Sequence, residues 1–255
     1  MRVRPSFLLV ATALTAFLVV QTAFGFNGAP VEGAGPQLRP AAAVVKPATA
    51  APAKPARPRG HLLAALRGDA GYSLSPGGAT AGTLAAHTEF GSAQVLSVVA
   101  RRGPWLAVVT SALDNNRLAW VRRKDVTLRR TRWSLRADLS QHTVTLYRYG
   151  RAVRRVDVAI GRPGSETPTG RFAVTDKLAG TSYGPYYGCC ILALSGHQPN
   201  TPPGWTGGNR IAIHGTDAPG SIGTAASAGC LRAGDADLRA LMQRVPVGTP
   251  VSISA

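Results

Sequence analysis

Acidic side chains are scarce. The 255-residue chain carries 12 Asp+Glu against 29 Lys+Arg, a formal charge of +17. A chain so short of carboxylates is drawn to polyanions, either nucleic acid or an anionic envelope. Cysteine is scarce as well. Three residues, an odd number, allow at most one disulfide and leave at least one free thiol. No CxxC or HxxxH spacing occurs, so a zinc site from His214, Cys230, Cys189 and Cys190 would need two adjacent cysteines, which are awkward tetrahedral ligands. A Cys-x5-Arg phosphatase loop starting at Cys230 is excluded, because position 236 is Ala236. No internal repeat is present. At the N-terminus the apolar run Phe7 to Val20 falls short of the roughly 20 residues a membrane helix needs unless it extends to Phe26.

What is present begins with that apolar run. Arg2 and Arg4 precede it and the small residues Ala23 and Gly25 follow, the layout of a secretory signal. Residues 1–26 are therefore expected to be a signal peptide or, uncleaved, an anchor in contact with the membrane. Both place the rest of the chain in the cell envelope (periplasm or wall). That demotes nucleic acid as a partner and promotes anionic wall polymers. Residues 27–60 are rich in Ala and Pro with scattered basic residues, which reads as a semi-rigid linker.

From 61 to 131 short apolar runs (Ala93 to Ala100, Trp105 to Thr110, Leu118 to Val121) are separated by the turn signals Arg102-Gly103-Pro104 and Asp114-Asn115-Asn116. They predict a small β domain. The order GPWLAVVT…LAWVRRKDV resembles bacterial SH3-like wall-associated domains. Arg122, Arg123, Lys124, Arg129, Arg130 and Arg132 cluster at its C-terminal edge, as a solvated face or a polyanion patch.

Residues 132–255 form a second unit. Val144 and Leu146 alternate with Thr143, Thr145 and Tyr147, Gly150 marks a turn, and Val156, Val158 and Ile160 alternate again, so a hairpin is expected. Arg171 to Thr175 and Arg210 to His214 read as further strands. Gly180 to Gly208 reads as a long loop dense in Gly, Pro and Tyr, a candidate lid. One helix is expected over Asp235 to Val245, with Asp235 as its cap and Pro246 after its end. A final strand runs from Val247 to Ser254. The fold class is mainly β with one short helix near the C-terminus.

Chemistry points to His214 and Cys230. A thiol becomes a good nucleophile when a base or a positive charge stabilises its thiolate. A histidine at the end of an apolar strand can take that proton and return it to a leaving amine. Gly229 allows close backbone approach, so nearby amides can face a developing oxyanion. Arg232 can hold a substrate carboxylate. The bland alternative is an inert buried thiol and a core histidine. Tyr186 and Tyr187, with Tyr183 and Trp205, can cover a substrate or simply pack. His197 reads as a surface residue, and His61, His87 and His142 as structural. Cys189-Cys190 fits a vicinal disulfide or two reduced core thiols better than a regulator of Cys230.

The run HGTDAPGSIGTAASAGCLR, followed by DADLRALMQRVPVGTPV and preceded by VDVAIGRPGSETPTGRFAVTD, resembles the L,D-transpeptidase catalytic domain of the YkuD family. The resemblance spans about Trp133 to Ile253. It implies a β-sandwich in which Cys230 is the acylated nucleophile and His214 the general acid and base. Gly215 supplies a backbone carbonyl that orients His214, while Ser227, Gly229 and Arg232 fill the rest of the motif. It implies peptidoglycan stem peptides as substrate, no metal and no cofactor, and susceptibility of Cys230 to acylation by carbapenems. Cross-linking through a Cys thioester with release of terminal D-Ala is the expected reaction. Water as acceptor would make the same site an L,D-carboxypeptidase. Many members read Ser-His-Gly-Cys where this chain has Ala228, which removes a second positive charge beside the thiol and leaves a catalytically weak wall-binding protein as the remaining alternative.

Overall fold

The computed structural model describes residues 60–255. The expected signal or anchor (1–26) and nearly all of the expected linker lie outside the described residues. The first sheet is wholly antiparallel. Its strands are β1 (His61–Leu66), β2 (Ala70–Ser73), β3 (Thr80–Leu84), β4 (Val95–Arg102), β5 (Trp105–Val109), β6 (Ala119–Arg122) and β7 (Val126–Thr131), in the order β3-β2-β6-β5-β4-β1-β7. Leu84, Leu106, Val108, Val121 and Val126 fill its core.

The second sheet contains β8 (Trp133–Asp138), β9 (Thr143–Arg148), β10 (Arg151–Gly161), β11 (Gly170–Ala179), β12 (Cys190–His197), β13 (Arg210–His214), β14 (Ala225–Ser227), β15 (Leu231–Ala233) and β16 (Pro250–Ser254). The order is β14-β10-β15-β13-β12-β11-β16-β8-β9, and β10 also pairs with β9. The long β10 serves both ends of the sheet: its first half pairs with β9 and Val158–Ala159 pair with β15. The strands of the expected sandwich thus pair into one sheet that closes through β9 and β10. Tyr149 and Gly150 both have positive φ, 51° and 78°, between the paired Arg148 and Arg151. This two-residue turn matches the twist of the flanking strands.

Two sequence expectations are corrected. The stretch 180–208 is not one loop, because Cys190–His197 is a strand at the centre of the sheet. Seven of its eight residues are buried, so it lacks the alternation that marks a half-exposed strand. Asp235 does not cap the helix α1 (Asp235–Arg244). Gly234 is the N-cap, without a side-chain bond, and the Asp235 carboxylate instead accepts the Cys189 N–H at 3.0 Å. Leu238 and Leu241 of α1 are fully buried and join Leu135, Phe172, Leu192 and Ile213 in the main core.

Candidate active site

Strand β13 carries the site. Ile211 and Ile213 face the main core, so Ala212 and His214 point to the opposite side, as successive residues of a strand must. On that opposite side Ala212 packs with Ile191, Ala193, Tyr187 and Cys230. Parallel pairing of β13 with β15 sets Ile213 beside Leu231 and His214 beside Arg232. Cys230, immediately before β15, therefore lies against the face that holds His214.

The imidazole is fully buried. Its Nδ1 stands 2.5 Å from the Gly215 carbonyl oxygen. A carbonyl only accepts, so Nδ1 carries the proton and Nε2 is left with a lone pair. Among the described residues nothing hydrogen-bonds to Nε2. Burial lowers the His214 pKa to about 4; the Gly215 bond and Asp217 oppose that shift and Arg232 adds to it. Cys230 is a free, partly exposed cysteine. Burial of its sulfur raises the thiol pKa to about 11, against the pull of the Ala212 amide and Arg232. At neutral pH the pair rests as a thiol and a neutral imidazole.

The turn before Cys230 is tightly tied. Ser227 Oγ donates to the Cys230 carbonyl at 2.6 Å and accepts the Gly229 N–H at 3.0 Å. Gly229 has φ +115°, and a Cβ there would lie 2.0 Å from Gln198 Nε2. Gln198 is buried and its amide donates to the carbonyls of Ser165, Glu166 and Ala228 at 3.1, 3.0 and 3.2 Å.

Over the imidazole sit two tyrosines. The ring centroids of Tyr187 and Tyr186 are 4.9 and 5.5 Å from that of His214. Tyr186 OH accepts Arg232 Nη2 at 2.5 Å, and the guanidinium lies 4.5 Å over the same ring. Tyr187, Tyr186, Trp205, Gln198, Ala228 and Cys230 line a shared cleft. Tyr183 is exposed and packs on Tyr187 and Phe90 instead. His197 lies outside this cluster: its Nε2 donates to the Ser111 carbonyl at 2.8 Å. His142 Nδ1 donates to the Gly223 carbonyl at 2.5 Å. Cys189 and Cys190 form a vicinal disulfide, which removes both from any zinc set. Among the described residues no group of three His, Cys, Asp or Glu is placed to hold a metal.

His214, Gly215, Ser227, Gly229, Cys230, Arg232, Tyr186 and Tyr187 are therefore brought together. Sequence reasoning missed two residues. Gln198 and Asp235 are ordinary polar residues on other elements that act on backbone groups, and no spacing rule links them to the site.

Residues 132–253 match the family profile of the L,D-transpeptidase catalytic domain, YkuD. The YkuD protein of Bacillus licheniformis, which carries the L,D-transpeptidase name, is 32% identical over 124 residues, 48% of this chain and 66% of that protein. Its Bacillus subtilis counterpart is 31% identical over the same shares. Among solved structures, L,D-transpeptidase 3 of Mycobacterium tuberculosis is 15% identical, covering 64% of this chain and 91% of that one, with a TM-score of 0.42. Residues 132–253 are a catalytic domain of the YkuD L,D-transpeptidase family. The chain spans just under two-thirds of the length of these Bacillus relatives.

Proposed function

We propose that the chain is an exported peptidoglycan L,D-transpeptidase, with residues 61–131 as an SH3-like, wall-associated unit ahead of the catalytic domain. The reading is carried by one observation: the Nδ1–H of His214 is held by the Gly215 carbonyl, so Nε2 is the basic nitrogen on the strand face shared with Cys230.

The Cys230 sulfur attacks the carbonyl of the third residue of a tetrapeptide stem while its proton passes to Nε2. Both groups rest uncharged, so transfer accompanies attack; a standing thiolate–imidazolium pair is disfavoured. The tetrahedral oxyanion is met by the Cys230 amide, since the Gly229 amide is already bonded to Ser227. The imidazolium returns the proton to the departing D-Ala amine and leaves a thioester. An amine of a neighbouring stem then gives its proton to Nε2, attacks the thioester and expels the sulfur, which takes the proton back. Arg232 offers its guanidinium to the D-Ala carboxylate, and Tyr186 and Tyr187 close over the donor.

Incubation with a disaccharide-tetrapeptide, read by mass spectrometry, tests this. Wild type releases D-Ala and forms a cross-linked dimer, and Cys230→Ala does neither. Tripeptide without dimer assigns the carboxypeptidase reaction, and no release from wild type assigns wall binding without catalysis. A carbapenem adduct confined to Cys230 is expected in the same instrument.

A further inference from the structure

The vicinal disulfide lies directly behind the base. The Cys190 carbonyl accepts the Gly215 N–H at 3.0 Å. The next residue, Ile191, is paired with His214 across β12 and β13. The Cys189 N–H donates to Asp235 Oδ1 at 3.0 Å, and its sulfur approaches the Asp235 carbonyl at 3.5 Å. Gly215 is enclosed by these groups: a Cβ on it would lie 2.3 Å from Asp235 Oδ1, 2.8 Å from the Cys189 nitrogen and 2.9 Å from the Gly188 Cα. The peptide unit whose carbonyl fixes the His214 tautomer is thus wedged between the disulfide segment and the start of α1. The same segment continues backwards into Tyr187 and Tyr186, which pack against the imidazole, edge-on and tilted respectively.

We propose that the Cys189–Cys190 disulfide, braced by Asp235, is a positioning element for the Gly215 carbonyl and the imidazole it holds, and that its reduction lowers the reactivity of Cys230. The inference rests on reading His214 as the base for Cys230. The eight-membered ring that a vicinal disulfide closes removes freedom from the intervening peptide. Opening it returns that freedom to the backbone that supports Gly215, and a small misplacement of a base is costly.

Cys190 is buried and Cys189 partly exposed, so a dithiol reductant meets Cys189 first. Its thiolate bonds to the Cys189 sulfur and expels the Cys190 thiolate. Its second thiol then displaces Cys189, and the reductant leaves as a cyclic disulfide. Two electrons and two protons pass to the protein, giving two thiols. Cys230, a lone free cysteine, is unchanged.

The full chain is assayed as isolated, after dithiol reduction and after reoxidation. Iodoacetamide labelling of the unfolded chain counts free thiols: one before reduction and three after. In the folded chain, the carbamidomethylation rate of the Cys230 peptide is expected to fall about tenfold on reduction. The kcat for D-Ala release falls in parallel while KM stays constant, and both recover on reoxidation. Cys189→Ser with Cys190→Ser should show the low rate and no response to reductant. Three labels before reduction, or unchanged Cys230 reactivity and kcat after it, overturn the proposal. Redox-sensitive Cys230 labelling without any D-Ala release sustains the positioning role and removes the transpeptidase reading instead.

Discussion

Burying an imidazole and a thiol on one strand face penalises the charged form of each. His214 accordingly sits near pKa 4 and Cys230 near 11. The neutral imidazole with the neutral thiol, the reactive form in the proposed mechanism, persists between those limits. The acid limb of kcat/KM is therefore expected near pH 4 rather than near the 6.5 of a free imidazole; a limb at 6.5 would refute the buried neutral base. Stability follows the same group. The unfolded imidazole binds its proton below about 6.5 while the folded one stays neutral down to about 4. Stability thus falls as the pH drops through that window, by about 3 kcal/mol. Thermal melts from pH 7 to 4 should show the slope, and His214→Gln should flatten it. At this scale the sequence was informative: strand-end histidine, Gly-Cys turn and Arg232 are short-range patterns. Gln198 and Asp235 were not legible, because each acts on the carbonyls or amides of segments distant in sequence.

At the scale of elements, β12 decides how the site is held. The CILALSGH segment reads as loop because Gly, Pro and Tyr surround it and because burial on both faces erases alternation. It is instead the central strand that supports β13, and its end leads into Gln198. The hairpin of β9 and β10, by contrast, was legible from period-two alternation and Gly150, since one of its faces meets solvent. Gln198 joins three segments: the loop at Ser165 and Glu166, the turn before Cys230 at Ala228, and its own loop, where the Asn200 N–H donates to Gln198 Oε1 at 3.0 Å. Gln198→Ala leaves three buried or half-buried carbonyls without their donor, at a cost of about 1–3 kcal/mol. It is expected to lower the melting temperature by several degrees and kcat by about tenfold, because the turn that aims Cys230 loses its brace. A Gln198→Ala enzyme with wild-type kcat would show that Ser227 alone fixes that turn.

At the scale of the molecule, few charges are paired, and one of the pairs joins the two sheets. Only three ion pairs occur among the described residues, Arg154–Asp237, Arg210–Glu89 and Arg239–Asp235. Most basic residues among the described ones thus lack a carboxylate partner, and an anionic wall polymer is the partner expected to draw on them. Retention on isolated walls should fall as salt rises through physiological strength, since screening shortens the reach of exposed charges to about 8 Å; salt-insensitive retention would assign it to other contacts. Docking of the two sheets combines the Arg210–Glu89 ion pair with neutral polar groups. Asn115 donates to the His197 carbonyl at 2.7 Å and accepts the His197 N–H at 2.8 Å. Asn116 donates to the Thr169 carbonyl at 3.1 Å and accepts the Arg171 N–H at 3.0 Å. The two side-chain amides engage the backbone of β12 and β11 as a neighbouring strand would. Thr88 Oγ1 adds a bond to the buried carboxylate of Asp176 at 2.5 Å. In the sequence Asp114-Asn115-Asn116 marked only a turn; its docking role depends on a partner more than 50 residues away and has no local signature. Asn115→Ala with Asn116→Ala deprives four backbone groups of partners, so a loss of about 2 kcal/mol is expected. The two sheets have separate main cores, bridged by the small apolar clusters of Leu63, Ala65 and Val95 with Val247 and of Phe90 with Ile191, Ala193 and Ala212, and the polar contacts add to this coupling of their melting. Calorimetry on wild type should give one transition, and the double variant two, the sheet of residues 61–131 melting first because its core is smaller. A single transition at the wild-type temperature would show that the interface is held elsewhere.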